Sequence, residues 1–186
     1  SSIDRLIKAG VSGVIVLPML GENASLTLAE RESVIRAGAE VAKGRVPLLS
    51  GLAETNLTAA RANAKAYQSF GAEGLMVFPS LGYKTDDRET AEWYKGIAGA
   101  SSLPIMIYNN PIAYKTDFSP VQIAELAQQY PNVQAVKESS GDVRRFAAIK
   151  SLLGDRLELL VGMDDAIVEG IAMGATGWIA GLVNAY

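Results

Sequence analysis

The sequence contains neither cysteine nor histidine, and these two absences exclude several kinds of chemistry. Without cysteine there is no disulfide framework, no thiolate nucleophile and no zinc site with cysteine ligands. Without histidine there is no Ser-His-Asp catalysis and no metal ion held by imidazole groups. We therefore expect no metal site, and acid–base catalysis must use lysine, tyrosine, aspartate or glutamate.

Further absences bear on cofactors, partners and location. No Gly-x-Gly-x-x-Gly fingerprint or Walker A loop occurs, so we expect no nucleotide or other cofactor. No apolar run is long enough to span a bilayer, and Ser1–Arg5 lacks the pattern of a signal peptide. The net charge of -3 argues against nucleic acid or an anionic membrane as a partner, because both need clustered lysine and arginine. These features favour the cytoplasm.

The composition is that of one soluble globular domain. A chain of 186 residues is long enough for a full hydrophobic core. Hydrophobic residues make up 49% of it and charged residues 20%, which are ordinary values for this class. Because no linker or change of composition interrupts the chain, we predict a single domain over residues 1–186.

Short apolar runs rich in branched residues recur along the chain. Such runs are typical of strands that are buried on both faces of a parallel sheet. The predicted strands are Val14–Pro18, Val46–Ser50, Leu75–Pro79, Pro104–Tyr108, Val133–Lys137, Leu157–Val161 and Trp178–Leu182.

Amphipathic stretches separate these runs and predict helices. In the first, Thr27 and Glu30 have the spacing of a capping box, and Val34, Ile35 and Val41 form the predicted buried face. The predicted helices are Leu28–Ala42, Leu57–Phe70, Thr90–Ala100, Val121–Gln129, Val143–Leu153 and Ala166–Met173.

Alternation of strands and helices predicts a parallel sheet with right-handed crossovers, either an open doubly wound sheet or an eight-stranded barrel. Polar and glycine residues follow almost every predicted strand, among them Glu22, Asn109, Lys137 and Asp164. A barrel gathers these strand ends into one ring, where its active site lies, so we favour an α/β fold of the (β/α)8 TIM-barrel type. The predicted strands are one short of eight.

Lys137 stands at the end of the apolar run Val133–Val136 and just before a loop of small and polar residues. Burial at such a place disfavours the ammonium form and lowers the pKa of the lysine. A desolvated lysine is the nucleophile that forms a Schiff base with a ketone. The alternative interpretation is a lysine that leaves the sheet and reaches solvent.

Four segments together resemble the motifs of a known family: Leu20–Leu26, Tyr108–Pro111, Val136–Asp142 and Gly162–Asp165. Tyr-Asn-x-Pro followed about thirty residues later by Lys-Glu, each at a strand end, is a specific combination. The chain resembles the dihydrodipicolinate synthase / N-acetylneuraminate lyase family, the class I Schiff-base lyases built on a (β/α)8 barrel. The resemblance implies that the first strand and the C-terminal helices of the barrel are absent, so that the sequence is truncated at both ends.

The resemblance also implies roles for particular residues. Lys137 should form the imine with a 2-oxo acid, and Tyr108 should carry protons to and from it. Backbone amides in the segment Met19, Leu20 and Gly21 should hold the substrate carboxylate. Gly162 and the carbonyl of Ile179 should line the pocket near the imine. Three acidic residues should hold loops rather than take part in chemistry: Glu22, Glu138 and Asp164.

Three departures from the family pattern concern the choice of reaction. Met19-Leu20 stands where a pair of threonines is usual, and Ala113 stands where the synthase has an arginine for its aldehyde substrate. The tyrosine that is usually lent across a dimer interface is missing near Ser80-Leu81. Tyr83 could replace it. Two more residues, Tyr114 and Lys115, are either new polar contacts in the pocket or ordinary surface residues.

The resemblance therefore implies a lysine Schiff-base lyase, a homo-oligomer of the dimer or tetramer kind, with a small 2-oxo acid or cyclic imine acid as substrate. The departures favour a catabolic activity like that of 1-pyrroline-4-hydroxy-2-carboxylate deaminases. Alternatives are a 2-keto-3-deoxy sugar acid dehydratase or aldolase, and 4-hydroxy-tetrahydrodipicolinate synthase itself. A member of a different class, which binds a 2-oxo acid without catalysis, also stays open.

Overall fold

A computed structural model describes residues 1–185, which form one parallel sheet of seven strands. The strand order in the sheet repeats the order along the chain. The strands are β1 (Val14–Val16), β2 (Leu48–Leu52), β3 (Gly74–Val77), β4 (Ile105–Asn109), β5 (Val133–Glu138), β6 (Glu158–Val161) and β7 (Gly177–Trp178). This confirms the predicted TIM-barrel architecture, with seven strands in the described part of the chain.

One helix precedes β1, and helices follow each strand from β1 to β6. They are α1 (Ser2–Lys8), α2 (Leu28–Ala42), α3 (Leu57–Phe70), α4 (Asp87–Ala98), α5 (Pro111–Tyr114), α6 (Pro120–Gln129), α7 (Arg144–Leu153) and α8 (Ile167–Ala172). Short 3-10 turns occur at Met19–Gly21, Asn23–Ser25, Asp164–Ala166 and Leu182–Asn184.

The sheet has a hydrophobic core on each face. The larger core lies between the sheet and the helices, and includes fully buried side chains such as Ile35, Leu75 and Val136. The smaller core fills the concave side, which is the interior of the barrel. It consists of Ala53, Met76, Phe78, Met106 and Tyr108, with partly buried residues such as Ile15, Met19, Leu49, Ala135, Leu160 and Ile179.

β5 contains one residue more than β4 over the same stretch. Ile105 pairs with Val133, but the next residue, Met106, pairs with Ala135, so that Gln134 is passed over as a bulge. Val133 packs on the helix side, Ala135 in the barrel interior and Val136 again on the helix side. The bulge thus shifts by one residue which side chains of the strand point inward and which point outward. As a result the next residue, Lys137, points into the barrel.

The helix termini follow the predicted chemistry. Thr27 and Glu30 form a reciprocal capping box at the start of α2, as the sequence predicts. The predicted buried face of α2 was partly wrong, because Val34 is exposed and Ile35 is buried. The face that contacts the core carries Arg31, Ile35, Gly38 and Ala42, a helical spacing that includes a charged residue.

Every strand differs from its predicted bounds by at least one residue at one end, and β2 and β7 differ most. β2 begins two residues later than predicted, after Pro47, because proline has no N–H to give to the ladder. β7 is limited to Gly177–Trp178, and the chain turns away before Leu182, where the prediction ended the strand. The backbone N–H groups of Gly181 and Leu182 donate to the Asp164 carboxylate at 3.0 Å instead of to a neighbouring strand.

Candidate active site

Lys137 and Tyr108 face each other at the C-terminal ends of β5 and β4. The two residues are register partners in the sheet. The Lys137 Nζ lies 4.1 Å from the centroid of the Tyr108 ring, over its face. The structure thus brings together the two residues that the sequence analysis selected for catalysis, in the half-buried mouth of the barrel interior.

The environment of Lys137 favours a neutral amine. Burial lowers the pKa of Lys137, while Tyr108 and the more distant Asp164 act in the opposite direction without cancelling the effect of burial. A neutral amine has the lone pair that nucleophilic attack requires. The partly buried position of Lys137 at this strand end agrees with the expectation of a desolvated lysine, and its role as the nucleophile stays a prediction.

Tyr108 is held from several sides. Its hydroxyl accepts a hydrogen bond from Asn110 Nδ2 at 3.1 Å. Its ring makes edge contacts with Phe78 and Tyr114, at centroid distances of 4.9 and 5.8 Å. On the helix side, the hydroxyl of the buried Tyr94 donates to the Tyr108 carbonyl oxygen at 3.3 Å. These contacts fix the phenol beside the lysine amine.

Gly162 leaves room for the lysine side chain. A Cβ at this position would lie 1.9 Å from Ser139 Oγ and 3.0 Å from Lys137 Cε, so no larger residue fits without a shift. Ile179 follows β7, donates its N–H to the Val161 carbonyl oxygen at 2.9 Å and packs against the barrel-interior core. Gly162 thus lies against the Lys137 side chain, whereas the lining of the pocket near the imine by Ile179 and its carbonyl stays a prediction.

The first loop agrees with the predicted carboxylate site only in part. Met19 packs against the barrel-interior core, whereas Leu20 is 87% exposed. The Gly21 N–H already donates to the Pro18 carbonyl oxygen at 2.9 Å, in a 3-10 turn. The Gly21 amide thus has a partner within the loop, and binding of the substrate carboxylate by the amides of this loop stays a prediction.

A buried polar network, which the sequence analysis missed, holds this loop. Asn23 Nδ2 donates to the carbonyl oxygens of Leu17 and Gly51, at 2.9 and 3.0 Å. Arg31 Nε donates to the Asn23 carbonyl at 3.1 Å, and its Nη1 forms an ion pair with Glu54. Periodicity alone could not reveal this network, since its members come from the first loop, α2 and the segment after β2.

The residues expected as new polar contacts surround one cavity of about 230 Å³. Its lining includes Tyr83, Lys84, Ala113, Tyr114 and Lys115. Tyr114 connects this cavity to the site through its ring contact with Tyr108, whereas the Tyr83 hydroxyl donates to Glu89 at 2.9 Å. The Lys115 Nζ donates to the Ile112 carbonyl oxygen at 2.8 Å, which keeps its ammonium group at the cavity wall.

Two acidic residues near the site have structural partners. The Asp164 carboxylate accepts from Trp178 Nε1 at 2.9 Å and from the two backbone amides that end β7. Glu138 is 3% exposed and pairs with Arg145 on the helix side of the sheet.

Over residues 1–185, no three acidic side chains lie close enough to hold a metal ion together. No helix in the same range is both long enough and apolar enough to cross a membrane.

Comparison with protein families identifies the sequence relationship. The model of the dihydrodipicolinate synthetase family matches residues 1–186. The chain is 32% identical over 178 residues to a 4-hydroxy-tetrahydrodipicolinate synthase of Clostridium perfringens. The aligned residues make up 96% of this chain and 61% of the relative. It is 33% identical to a protein of the same name from Methanospirillum hungatei, over 100% of the chain and 64% of the relative. The chain thus spans about three fifths of the length of these curated relatives.

Solved structures agree with this relationship. Dihydrodipicolinate synthase from Aquifex aeolicus superposes with a TM-score of 0.94 at 28% identity, over 98% of this chain and 62% of that one. A prophage protein from E. coli K12, of the dihydrodipicolinic acid synthase family and in complex with pyruvate, superposes with a TM-score of 0.91 at 28% identity. This superposition covers 98% of this chain and 62% of the prophage protein.

Proposed function

The chain belongs to the dihydrodipicolinate synthetase family, and from this premise we propose that it acts on a 2-oxo acid by forming a Schiff base through Lys137. One observation carries the proposal. The Lys137 amine, with a pKa lowered by burial, lies 4.1 Å from the ring of a tyrosine that is its register partner on the next strand. Binding of a 2-oxo acid alone, without catalysis, requires neither a desolvated amine nor a phenol beside it.

The chemistry uses the chain's own groups. The neutral amine of Lys137 attacks the keto carbon, and the resulting carbinolamine loses water to give an iminium ion. Tyr108 delivers the proton that the departing hydroxyl needs and takes up a proton in the following steps. The iminium ion then withdraws electrons from the adjacent carbon, which makes its C–H bond acidic or its bond to a neighbouring carbon cleavable.

Support for the substrate class comes from the relatives. A structural neighbour holds pyruvate, the simplest 2-oxo acid, and the Aquifex aeolicus neighbour is a dihydrodipicolinate synthase. The substrates and partners of the whole protein are part of the proposal, because the chain spans about three fifths of its curated relatives. We include a homo-oligomeric assembly in the proposal on the same basis.

The first candidate reaction is deamination of 1-pyrroline-4-hydroxy-2-carboxylate. The apolar Met19 packs where a hydroxyl is usual in the synthases, and Ala113 in the cavity wall offers no positive charge for an aldehyde's carboxylate. In this reaction Lys137 adds to the cyclic imine carbon, a proton leaves the neighbouring carbon and the hydroxyl departs. Hydrolysis then releases ammonia and a semialdehyde.

A second candidate is the condensation catalysed by 4-hydroxy-tetrahydrodipicolinate synthases. The names of the relatives favour it, since proteins at 32–33% identity carry this name. The two candidates share the imine and differ in the steps after it forms. A 2-keto-3-deoxy sugar acid dehydratase or aldolase would use the same intermediate.

The imine is tested by intact-mass spectrometry of the full-length protein after borohydride reduction with pyruvate. We expect a mass increase that maps to Lys137 and disappears in Lys137→Ala. The matched control is Lys65→Ala, an exposed lysine of α3, which should trap as wild type does. Absence of an adduct with any 2-oxo acid in folded protein would refute the proposed function.

Analysis of the products then distinguishes the candidate reactions. Ammonia release from 1-pyrroline-4-hydroxy-2-carboxylate supports the deaminase, and formation of 4-hydroxy-tetrahydrodipicolinate from pyruvate and aspartate semialdehyde supports the synthase. If neither product forms while Lys137 still traps pyruvate, the sugar-acid reaction is the remaining candidate.

A further inference from the structure

A polar cluster with two buried members, one partly buried member and one exposed member lies behind Lys137 and Tyr108, on the side of the sheet that faces the helices. We call it the outer cluster, and it consists of Asn109, Asp117, Glu138 and Arg145. Asn109 and Glu138 are only 2% and 3% exposed. Glu138 Oε2 accepts from Asn109 Nδ2 at 3.1 Å and from Arg145 Nε at 3.0 Å. The Glu138 carboxylate is thus paired in a part of the molecule from which water is excluded.

The outer cluster joins four of the segments that lie next to Lys137 and Tyr108. Glu138 Oε1 accepts from the Ser140 N–H at 2.7 Å, which fixes the loop after β5. Asn109 Oδ1 accepts from the Phe118 N–H at 2.9 Å, and Arg145 Nη2 donates to the Phe118 carbonyl at 2.6 Å. The ends of β4 and β5, the segment before α6 and the start of α7 are therefore held together at one point.

The bulge in β5 allows two alignments of this strand against β4. In the observed alignment Gln134 is passed over, so that Lys137 stands opposite Tyr108 and Glu138 opposite Asn109. A regular ladder that runs on from Val133 without a bulge would place Lys137 opposite Asn109 instead. Because successive side chains of a strand point to opposite faces, Lys137 would then point toward the helices and leave the barrel interior.

The outer cluster distinguishes between these alignments. In the regular ladder the Glu138 side chain would enter the barrel interior, away from Asn109 and Arg145. Arg145 would keep only the exposed Asp117 as a carboxylate partner. The Glu138 carboxylate would lose its donors Asn109 and Arg145, and a buried charge without its partners is strongly unfavourable.

We infer that the Glu138–Arg145 pair is a positioning device that keeps β5 in the bulged alignment and so keeps Lys137 opposite Tyr108. The inference rests on the proposed function for its catalytic meaning, and on the register alone for its structural meaning. Neither residue touches the reacting atoms. Each acts through the alignment of β5.

The test is borohydride trapping of pyruvate at Lys137 in Glu138→Gln and Arg145→Gln, with the full-length protein. Misplacement of a reacting group by about 1 Å already lowers rates by about a hundredfold, so we expect initial trapping rates to fall at least about tenfold. Deletion of Gln134 should then restore trapping in the Glu138→Gln background. The deletion removes the extra residue, so that a regular ladder itself places Lys137 opposite Tyr108.

The rescue separates positioning from a general loss of stability, because a shorter strand would not repair a protein that is merely less stable. If Glu138→Gln alone fails to fold, the variant that also lacks Gln134 is the decisive one, and it should fold and trap. Asp142→Asn and Arg144→Gln serve as matched controls. This neighbouring pair is joined at 2.7 Å but 81% of the Arg144 side chain is exposed, so trapping should stay within about twofold of wild type.

A second measurement does not depend on the enzyme's activity. Acetic anhydride labels unprotonated amines, so its reaction with Lys137 across a range of pH reports where that amine lies. The labelling profile of Lys137 should change in Glu138→Gln and return when Gln134 is deleted. If wild-type protein traps no pyruvate, the proposed function fails and labelling still decides the register. Wild-type trapping and labelling in folded Glu138→Gln would overturn the inference, as would failure of the Gln134 deletion to restore either.

Discussion

Lys137 combines its proposed role at the site with an unfavourable effect on folding. Burial lowers its pKa in the folded protein below the value in the unfolded chain. Between these two pKa values the unfolded chain binds more protons, so the free energy of unfolding rises with pH there. Below the folded-state pKa the unfavourable effect of burying the amine is present in full.

Lys137→Met should therefore stabilise the protein at neutral pH while it abolishes imine formation. Met has a similar length and no charge to desolvate, so we expect the Tm at pH 7 to rise by about 2–4 °C, which corresponds to about 1 kcal/mol for a chain of this size. The gain should shrink as the pH is raised toward about 10.5, where the unfolded lysine also loses its proton. Thermal unfolding at several pH values measures both effects.

The exposed Lys65→Met is the control for this substitution, and its unfolding free energy should stay within about 0.5 kcal/mol of wild type at every pH. An equal or lower Tm for Lys137→Met at pH 7 would contradict the argument.

Among single residues, the sequence was sufficient to predict that Lys137 and Tyr108 stand at strand ends, because each lies in a local motif, and the structure places them side by side. It was not sufficient for Arg31 and Glu54. These charged residues are buried only because the first loop folds over α2 and meets the end of β2, and no local pattern records that contact.

The connection after β1 is packed against β2 at the level of the backbone. A Cβ on Gly51 would lie 2.1 Å from the Leu17 carbonyl oxygen. Leu17 itself has a positive φ of 55°, which a branched side chain rarely adopts. Only glycine allows the two segments to approach this closely, and the first loop of the site begins at this contact.

Gly51→Ala should lower the free energy of unfolding by about 3 kcal/mol or more, because backbone atoms would have to move. For this chain length the change in Tm is roughly 6–12 °C. Gly38→Ala is the matched comparison, since its Cβ would meet only side chains of Leu48 and Val16 at 3.3 Å, and alanine favours the helix by up to about 1 kcal/mol.

Thermal unfolding of the two alanine variants measures this difference. Equal Tm values for both would show that the contact at Gly51 is not rigid.

Helix bounds were more predictable than strand bounds. α2 and α3 have the predicted ends, because capping residues and a left-handed glycine at Gly71 mark them locally. The limits of β2 and β7 depend on which neighbours supply hydrogen bonds, and that is decided by Pro47 and by Asp164 from another element. The bulge at Gln134 has no signal in the sequence, since Gln134 is an ordinary polar residue in an apolar run.

The whole sheet has two edges within the described residues. β1 pairs with β2 alone and β7 with β6 alone over residues 1–185. Exposed apolar side chains flank the second edge, among them Val168 at 79% and Trp178 at 38%. Unpaired edges and exposed apolar surface both promote association.

Residues 1–186 produced alone should therefore self-associate as the protein concentration is raised. Size-exclusion chromatography with light scattering measures the mass directly. Val168→Lys with Ile171→Lys should weaken association if the apolar face of α8 contributes to it. A monomer at every concentration would contradict this prediction.

The barrel class was predictable because polar residues follow so many strands, and those positions do gather at one end of the sheet. We propose on the same basis that residues 1–186 act as a single barrel domain. The order of the sheet was also implied by alternation of strands and helices. What the sequence could not supply was the pairing across β4 and β5, which depends on a single extra residue.

A sheet whose strand order repeats the chain order has a consequence for biosynthesis. Each strand needs only the strand made just before it, so a nascent chain can add its β/α units in turn as they leave the ribosome. In this order Tyr108 and Lys137 can meet once β5 docks on β4, before β6 and β7 pack against the sheet. The pair at the centre of the site can thus form ahead of the rest of the sheet.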